Sequence, residues 1–238
     1  MYKELILQWT SELKTEIDDS KLFLLSNYCS SIATNGIQKG FTNIKGAKNI
    51  VDRHVGESLF LNECIHKYPN VDNAKLIDIG TGVGVPGIIL GIMNKNYLVD
   101  LLDSNKKKIH YLKSVIENLQ LNNINPIDQR VEDLGKDKKE FYEYAVAKAV
   151  APLSILMEYA MPLLKINGLL FAPKGSDSRN EAYNVENASK ELACEIIDII
   201  EFPRNFTANN QAIIVVKKLK KTPGHFPRKS GIAIKRPL

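Results

Sequence analysis

Apolar side chains recur every three or four positions through the first part of the chain. Leu5, Trp9 and Leu13 are followed by Leu22, Leu25, Tyr28, Cys29 and Ile32, the stripe of an amphipathic helix. Asp18-Asp19-Ser20 breaks that stripe and offers a cap, so two helices are predicted. Gly36, Gly40 and Gly46 punctuate a loop, and a further helical stretch runs from about 49 to 68. From Lys75 the period changes. Leu76-Ile77-Asp78-Ile79 is a short apolar run closed by glycines, as expected of a buried parallel strand. A helix of small and aliphatic residues is predicted over 84–93, a second strand over 97–102 ending at Asp103, and a lysine-rich amphipathic helix over 105–120. A third strand over 124–131 and a fourth over 144–147 follow. A helix from Pro152, a fifth strand over 168–172 and a polar helix near 178–192 complete this stretch. The runs 196–200 and 212–216, joined by a turn-like segment, predict an antiparallel pair at one edge.

Strands alternating with helices imply an α/β fold, a doubly wound and mostly parallel seven-stranded sheet, with a nucleotide-type site at the carboxyl ends of its first strands. The expected organisation is a helical extension over 1–70, a core over 71–216 and a closing segment over 217–238.

Charge changes the picture at the carboxyl end. Of 32 basic and 27 acidic residues, eight basic ones and no acid lie in 217–238, so a body of net −3 ends in a tail of +8. Pro223, Phe226, Pro227, Gly231 and Pro237 interrupt the basic residues, suggesting an ordered, extended strap that contacts phosphates rather than a solvated run. No apolar run has the length to span a bilayer, and the amino terminus lacks a signal-peptide pattern, so a cytoplasmic protein is expected. Cys29, Cys64 and Cys194 are odd in number and far apart, which indicates neither a disulfide framework nor a metal site.

Four glycines in Gly80-Thr81-Gly82-Val83-Gly84-Val85-Pro86-Gly87 follow the first strand directly, an arrangement that lets backbone amides approach a ligand. Gly82-x-Gly84-x-x-Gly87 also fits the dinucleotide fingerprint, with Asp103 at the distance of a ribose-binding acid. A nicotinamide-dependent oxidoreductase is therefore an alternative. Asp78, two residues before the first glycine, would face arriving phosphates, and Glu132-Asp133 adds acid at the end of the third strand. S-adenosylmethionine, which has a sulfonium cation and no pyrophosphate, suits these acids better. Asp103 can accept its ribose hydroxyls, and Val131-Glu132 can sit beside adenine.

The glycine loop, Leu101-Leu102-Asp103-Ser104-x-x-Lys107, Arg130-Val131-Glu132-Asp133-Leu134-Gly135 and Ala147-Lys148-Ala149-Val150-Ala151-Pro152-Leu153 resemble the ribosomal RNA small-subunit methyltransferase G family, also called glucose-inhibited division protein B. Lys221-Thr222-Pro223-x-x-Phe226-Pro227-Arg228-Lys229-x-Gly231 and the ending Lys235-Arg236-Pro237-Leu238 resemble its closing signature. Pro162-Leu163-Leu164-Lys165, Lys174-Gly175 and His54-x-x-x-Ser58 match as well. The resemblance implies a class I S-adenosylmethionine-dependent methyltransferase acting on N7 of a guanine in 16S ribosomal RNA or the small ribosomal subunit. A monomer that needs no metal is expected. The implied cofactor residues are Gly80, Gly82, Gly84, Val85, Asp103, Val131, Glu132 and Lys148. Lys148 stands where the family has arginine, keeping the charge without the planar fork. Phe41-Thr42-Asn43-Ile44 stands where the family more often reads Asn-Leu-Thr.

N7 carries a free in-plane lone pair, so no general base is required. Lys148, Lys174 and His54 are the catalytic candidates, His54 as a residue lining the active-site mouth, and Lys148, Lys174 and Arg130 are candidates for contacts to RNA phosphate or the guanine O6 edge. Lys221, Arg228, Lys229, Lys235 and Arg236 are the expected RNA contacts of the tail. A catalytically silent RNA-binding assembly factor that keeps the fold is a further alternative.

Overall fold

The computed structural model describes residues 1–69, 72–203 and 211–238. In chain order the elements begin with α1 (Tyr2–Leu13), α2 (Asp19–Ser31), α3 (Ala47–Ile50), α4 (Glu57–His66), β1 (Lys75–Ile79) and α5 (Gly87–Met93). Next come β2 (Leu98–Asp103), α6 (Lys106–Asn118), β3 (Ile124–Asp128), α7 (Val131–Asp137), β4 (Tyr142–Val146) and α8 (Leu153–Ala160). The chain closes with β5 (Leu164–Lys174), α9 (Ser178–Tyr183), α10 (Glu186–Leu192), β6 (Cys194–Glu201), β7 (Ala212–Lys218) and α11 (Ile232–Lys235). The seven strands lie in the order β3-β2-β1-β4-β5-β7-β6. Pairing is parallel for β2 with β3, β1 with β4 and β4 with β5, and antiparallel for β5 with β7 and β6 with β7. The expected mixed α/β sheet and its antiparallel closing pair are both present. The turn-like segment expected between the last two strands falls largely on 204–210, outside the described residues.

Two compact units make up the chain. One comprises residues 1–73 and 81–128. In it the predicted break at Asp18 is the cap of α2, its carboxylate accepting from the Lys21 amide at 2.7 Å. The helix predicted over 49–68 is three consecutive pieces, α3, a π-helical turn Val51–Gly56 and α4. Gly56 has ordinary helical angles, yet it faces Trp9 of α1, where a Cβ would sit 2.1 Å from the indole. The indole N–H donates to Asp52 Oδ1 at 2.8 Å, so the packing is pinned by a polar contact as well.

The second unit comprises residues 74–80 and 129–238, and so includes the whole carboxyl-terminal segment. Sequence boundaries shift here for identifiable reasons. β3, in the first unit, stops at Asp128 rather than at 131, and Val131-Glu132 of the second unit open α7 instead of closing a strand. Glu132 and Asp133 in that first turn suit the positive end of the helix. β5 is longer than expected, taking in the exposed Lys165, Ile166 and Asn167. The helix expected over 178–192 is two helices, parted where Asn184 and Val185 leave helical angles. β7 runs through Lys218, two residues past the apolar run 212–216. The boundary expected at 70/71 lies outside the described residues.

Beyond Lys218 the tail is not an extended strap but a series of turns ending in α11. Phe226, Pro227 and Ala233 are buried in the second unit.

Candidate active site

In the first unit, the glycine loop turns sharply before α5. Gly82 and Gly84 have φ of +63° and +100°, which delays the helix from the predicted 84 to Gly87. A Cβ at Gly84 would also meet Ile88 at 2.5 Å and Leu112 at 2.9 Å. The loop is tied to neighbouring elements: the Thr81 amide donates to the Leu102 carbonyl at 3.0 Å, and the buried Tyr28 hydroxyl of α2 donates to the Val83 carbonyl at 2.8 Å. Asp103 ends β2 with its carboxylate held in place. One oxygen accepts from the Gly82 amide at 3.1 Å and the other from the Asn105 amide at 2.9 Å, with the Lys108 ammonium 3.4 Å away. A carboxylate offers about four acceptor positions, so Asp103 retains capacity for hydroxyl donors, and the donor set fits a ribose diol.

His54 lies in the π-helical turn of this unit and is buried. Its Nε2 is 3.4 Å from the Thr42 hydroxyl, and Ser58 donates to its carbonyl at 2.6 Å. The His-x-x-x-Ser element is thus a one-turn hydrogen bond inside the helix, and Thr42 of the divergent loop is its side-chain neighbour.

In the second unit Asp78 lies within β1 and is completely buried. Gly80 lies under Val150: a Cβ there would approach Val150 Cγ2 to 2.7 Å. The glycine that closes β1 and the segment that follows β4 are therefore fitted to each other. In that segment Lys148 is half-buried and Ala149 takes a left-handed φ of +56°. Glu132 is buried in the first turn of α7 and accepts from the Gly231 amide of the tail at 2.9 Å. Gly135, one turn on, would clash with Pro227 at 2.9 Å if it carried a Cβ. Tyr159 of α8 has its phenol pushed up by burial and by the nearby charges of Glu132 and Glu158, against the opposing pull of Arg130.

Two expected RNA contacts are engaged inside this unit. Lys174 donates to the Ala151 carbonyl at 2.7 Å and pairs with Glu181 at 2.7 Å, its side chain largely buried. Arg228 makes a two-pronged ion pair with Glu158, Nε to Oε1 at 2.7 Å with Nη2 on Oε2, and Nη2 also donates to the Arg236 carbonyl. Lys221, Lys229, Lys235, Arg236 and Arg130 are exposed. Lys218, part of the basic run in sequence, is fully buried. Its ammonium donates to the Met161 and Leu164 carbonyls at 2.8 Å each and to Glu140 at 3.2 Å. The Gly231 contact to Glu132 and the Glu158 acceptor carried no sequence signal, since their partners lie 99 and 70 positions away.

Among the described residues, no cluster of His, Cys, Asp or Glu has the arrangement to hold a metal ion, and no helix is long and apolar enough to cross a membrane. The fold is that of class I S-adenosylmethionine-dependent methyltransferases. Similar solved structures include an S-adenosylmethionine-dependent methyltransferase from Aquifex aeolicus, with a TM-score of 0.55 at 11% identity over 77% of this chain and 97% of that one. Another is a putative rRNA methylase from Clostridium thermocellum, at 0.53 and 15% over 69% and 97%. M. jannaschii TYW2, solved with AdoMet, gives 0.52 and 19% over 67% and 73%. Residues 21–210 match the family model GidB, described as rRNA small subunit methyltransferase G. Proteins named Ribosomal RNA small subunit methyltransferase G are 34% identical in Fusobacterium nucleatum, over 99% of this chain and 100% of that protein, and 35% identical in Caldicellulosiruptor bescii, over 90% and 91%. The chain belongs to the rRNA small subunit methyltransferase G family, and its methyl donor is S-adenosylmethionine. That membership sets the oxidoreductase alternative aside.

Proposed function

We propose that this protein methylates N7 of a guanine in 16S ribosomal RNA, acting as a monomer in the cytoplasm. When bound, S-adenosylmethionine supplies a methyl carbon on a sulfonium. N7 of guanine has an in-plane electron pair and no proton. With the cofactor bound, methyl transfer to that electron pair would release the sulfur as a neutral thioether and would leave no proton for a side chain to remove. The protein's task is to align donor and base, and alignment alone supplies a large part of such rate gains.

Asp103 is assigned to the ribose hydroxyls, and the loop residues Gly80, Gly82, Gly84 and Val85 to the donor's remaining backbone contacts. Val131 and Glu132 are assigned to adenine. Lys148 is assigned to the cofactor or the incoming nucleotide. The exposed Lys221, Lys229, Lys235 and Arg236 take RNA phosphates, while Arg228 holds the tail in place. The observation that carries the cofactor assignment is the Asp103 carboxylate, held at the end of β2 by two backbone amides.

Titration calorimetry with S-adenosylhomocysteine tests it. Asp103→Asn should weaken binding by about 1.5–3 kcal/mol, tenfold to hundredfold, the range of a lost charge-assisted hydrogen bond. Unchanged affinity would remove Asp103 from the site. Labelled methyl should enter guanine N7 of small subunits that lack the modification. Label found only on an exocyclic amine or on protein refutes the substrate assignment, and cofactor binding without transfer supports a silent assembly factor.

A further inference from the structure

The exposed face of α6 carries basic side chains that the cofactor assignment does not use. Lys106, Lys107, His110 and Lys113 are all exposed on a helix whose one acid, Glu117, lies near its far end. The buried face, Ile109, Tyr111, Leu112 and Val115, fixes which side turns outward. Lys106, His110 and Lys113 recur at four- and three-residue spacing and so share one stripe, with Lys107 beside it.

A further lysine, from a distant part of the chain, lies against the helix at Tyr111, on the margin of its buried face. Exposed Lys39 stands 6.0 Å from the ring centroid of Tyr111. Its segment is anchored there by Phe41 against Tyr111, at 5.8 Å between ring centroids, and by the Ser31 and Tyr111 hydroxyls 3.3 Å apart. Lys108, the remaining lysine of the first turn, is turned to Asp103 at 3.4 Å. Among the described residues, Lys39, Lys106, Lys107 and Lys113 make no ion pair. The first turn of a helix disfavours cations, so three lysines in succession there do not serve the helix's own stability. A helix face of closely set cations with little intervening acid matches a run of phosphates.

We propose that the exposed α6 face, Lys106, Lys107, His110 and Lys113, with Lys39 beside Tyr111, is a second docking surface for the phosphodiester backbone of RNA, distinct from the carboxyl-terminal tail. The inference rests on the reading of the substrate as ribosomal RNA. Because α6 begins directly after Asp103, RNA lying on this face passes beside the proposed ribose site of the same unit.

The test is fluorescence anisotropy of labelled, protein-free 16S RNA fragments against the full-length protein across a salt series. The variants are Lys106→Gln/Lys107→Gln/Lys113→Gln and its Lys→Arg counterpart, with S-adenosylhomocysteine affinity measured on each. Each lost phosphate contact lowers the slope of log affinity against log salt by about 0.7–0.9. The glutamine variant, missing three contacts, should therefore lose about 2.1–2.7 units of slope and bind at least tenfold more weakly at 0.1 M salt, with cofactor affinity unchanged. The arginine variant should bind as wild type. Wild-type slope and affinity in the glutamine variant overturn the proposal and leave the methyltransferase reading intact. So does weakened binding to assembled subunits with normal binding to protein-free RNA, which would make the partner a protein. Slope loss in a protein that methylates no RNA keeps the α6 surface and refutes the substrate reading instead.

Discussion

Replacing Gly56 with alanine sets two effects of opposite sign against each other. Gly56 is helical, with φ −60° and ψ −49°, so intrinsic propensity favours alanine by about 0.8–1 kcal/mol. The added Cβ, however, would lie 2.1, 2.3 and 2.5 Å from three atoms of the Trp9 ring, where carbon contacts sit at about 3.5–4.0 Å. Trp9 is 3% exposed and has no room to yield freely. Overpacking of this kind costs about 1–3 kcal/mol, and displacing the indole from Asp52 forfeits about 1 kcal/mol more. The net expectation is destabilisation by about 2 kcal/mol, or a fall of roughly 4–8 °C in midpoint for a chain of this size. Trp9 is the sole tryptophan, so its emission reports on the perturbed contact itself during urea unfolding. In a Trp9→Leu background the clash is relieved and the same substitution should stabilise by up to about 1 kcal/mol. A neutral or stabilising Gly56→Ala in the wild-type background, with unshifted Trp9 emission, refutes the steric argument.

Arg228→Ala should destabilise more than Glu158→Gln, about 2–4 against about 1–2 kcal/mol by chemical denaturation, because Glu158 is 2% exposed and cannot reach water once its partner is removed. The reverse order would refute a tail held in place by that pair. Burial pushes the Lys218 ammonium below its usual 10.5, outweighing its bonds to Glu140. The folded chain therefore loses this proton at lower pH than the unfolded chain. Between its depressed value and 10.5, wild-type stability measured against Lys218→Met should rise with pH, and a falling difference would contradict that burial. Cys29 and Cys194 are buried and their thiols are pushed up to about 12. Alkylation of either at pH 8 should be slow in the native protein and accelerate only through the unfolding transition, and rapid labelling without denaturant would refute their burial.

The elements that sequence exposes best are those whose local pattern and global role agree. β1 and β2 are short, mostly apolar runs broken by single acids, Asp78 in β1 and Asp100 in β2 before Asp103 closes it, and α6 shows its buried and exposed faces at helical spacing. The glycine loop is legible because positive φ at Gly82 and Gly84 leaves few alternatives to glycine. Val131 misled because an apolar residue after Ile124 and Ile127 extends a strand on paper, while the helix start depends on Arg130 taking an extended conformation before Glu132 and Asp133. The same limit applies to charge. Lys218 and Lys221 read alike in sequence, yet one is sealed against two carbonyls and the other faces solvent. Burial of a lysine is decided by what the chain brings to it from more than fifty residues away, and no local pattern records that.

The basic tail consequently divides by partner rather than by position. Phe226 and Ala233 are buried, Pro227 fills the space left by Gly135, Arg228 closes on Glu158 and the Gly231 amide meets Glu132. These contacts make the segment a structural part of the second unit and consume one of its charges. They also join it to α7, where the proposed adenine-side residue Glu132 is oriented by a tail amide. Deleting the segment would therefore strip Glu132 of its hydrogen bond, expose buried apolar surface and orphan Glu158, all before any RNA is present. A loss of RNA affinity after such a deletion carries no information about phosphate contacts. Only point neutralisation of the exposed Lys221, Lys229, Lys235 and Arg236 separates the tail's electrostatic role from its structural one, because those side chains can lose their charge while the anchoring contacts persist.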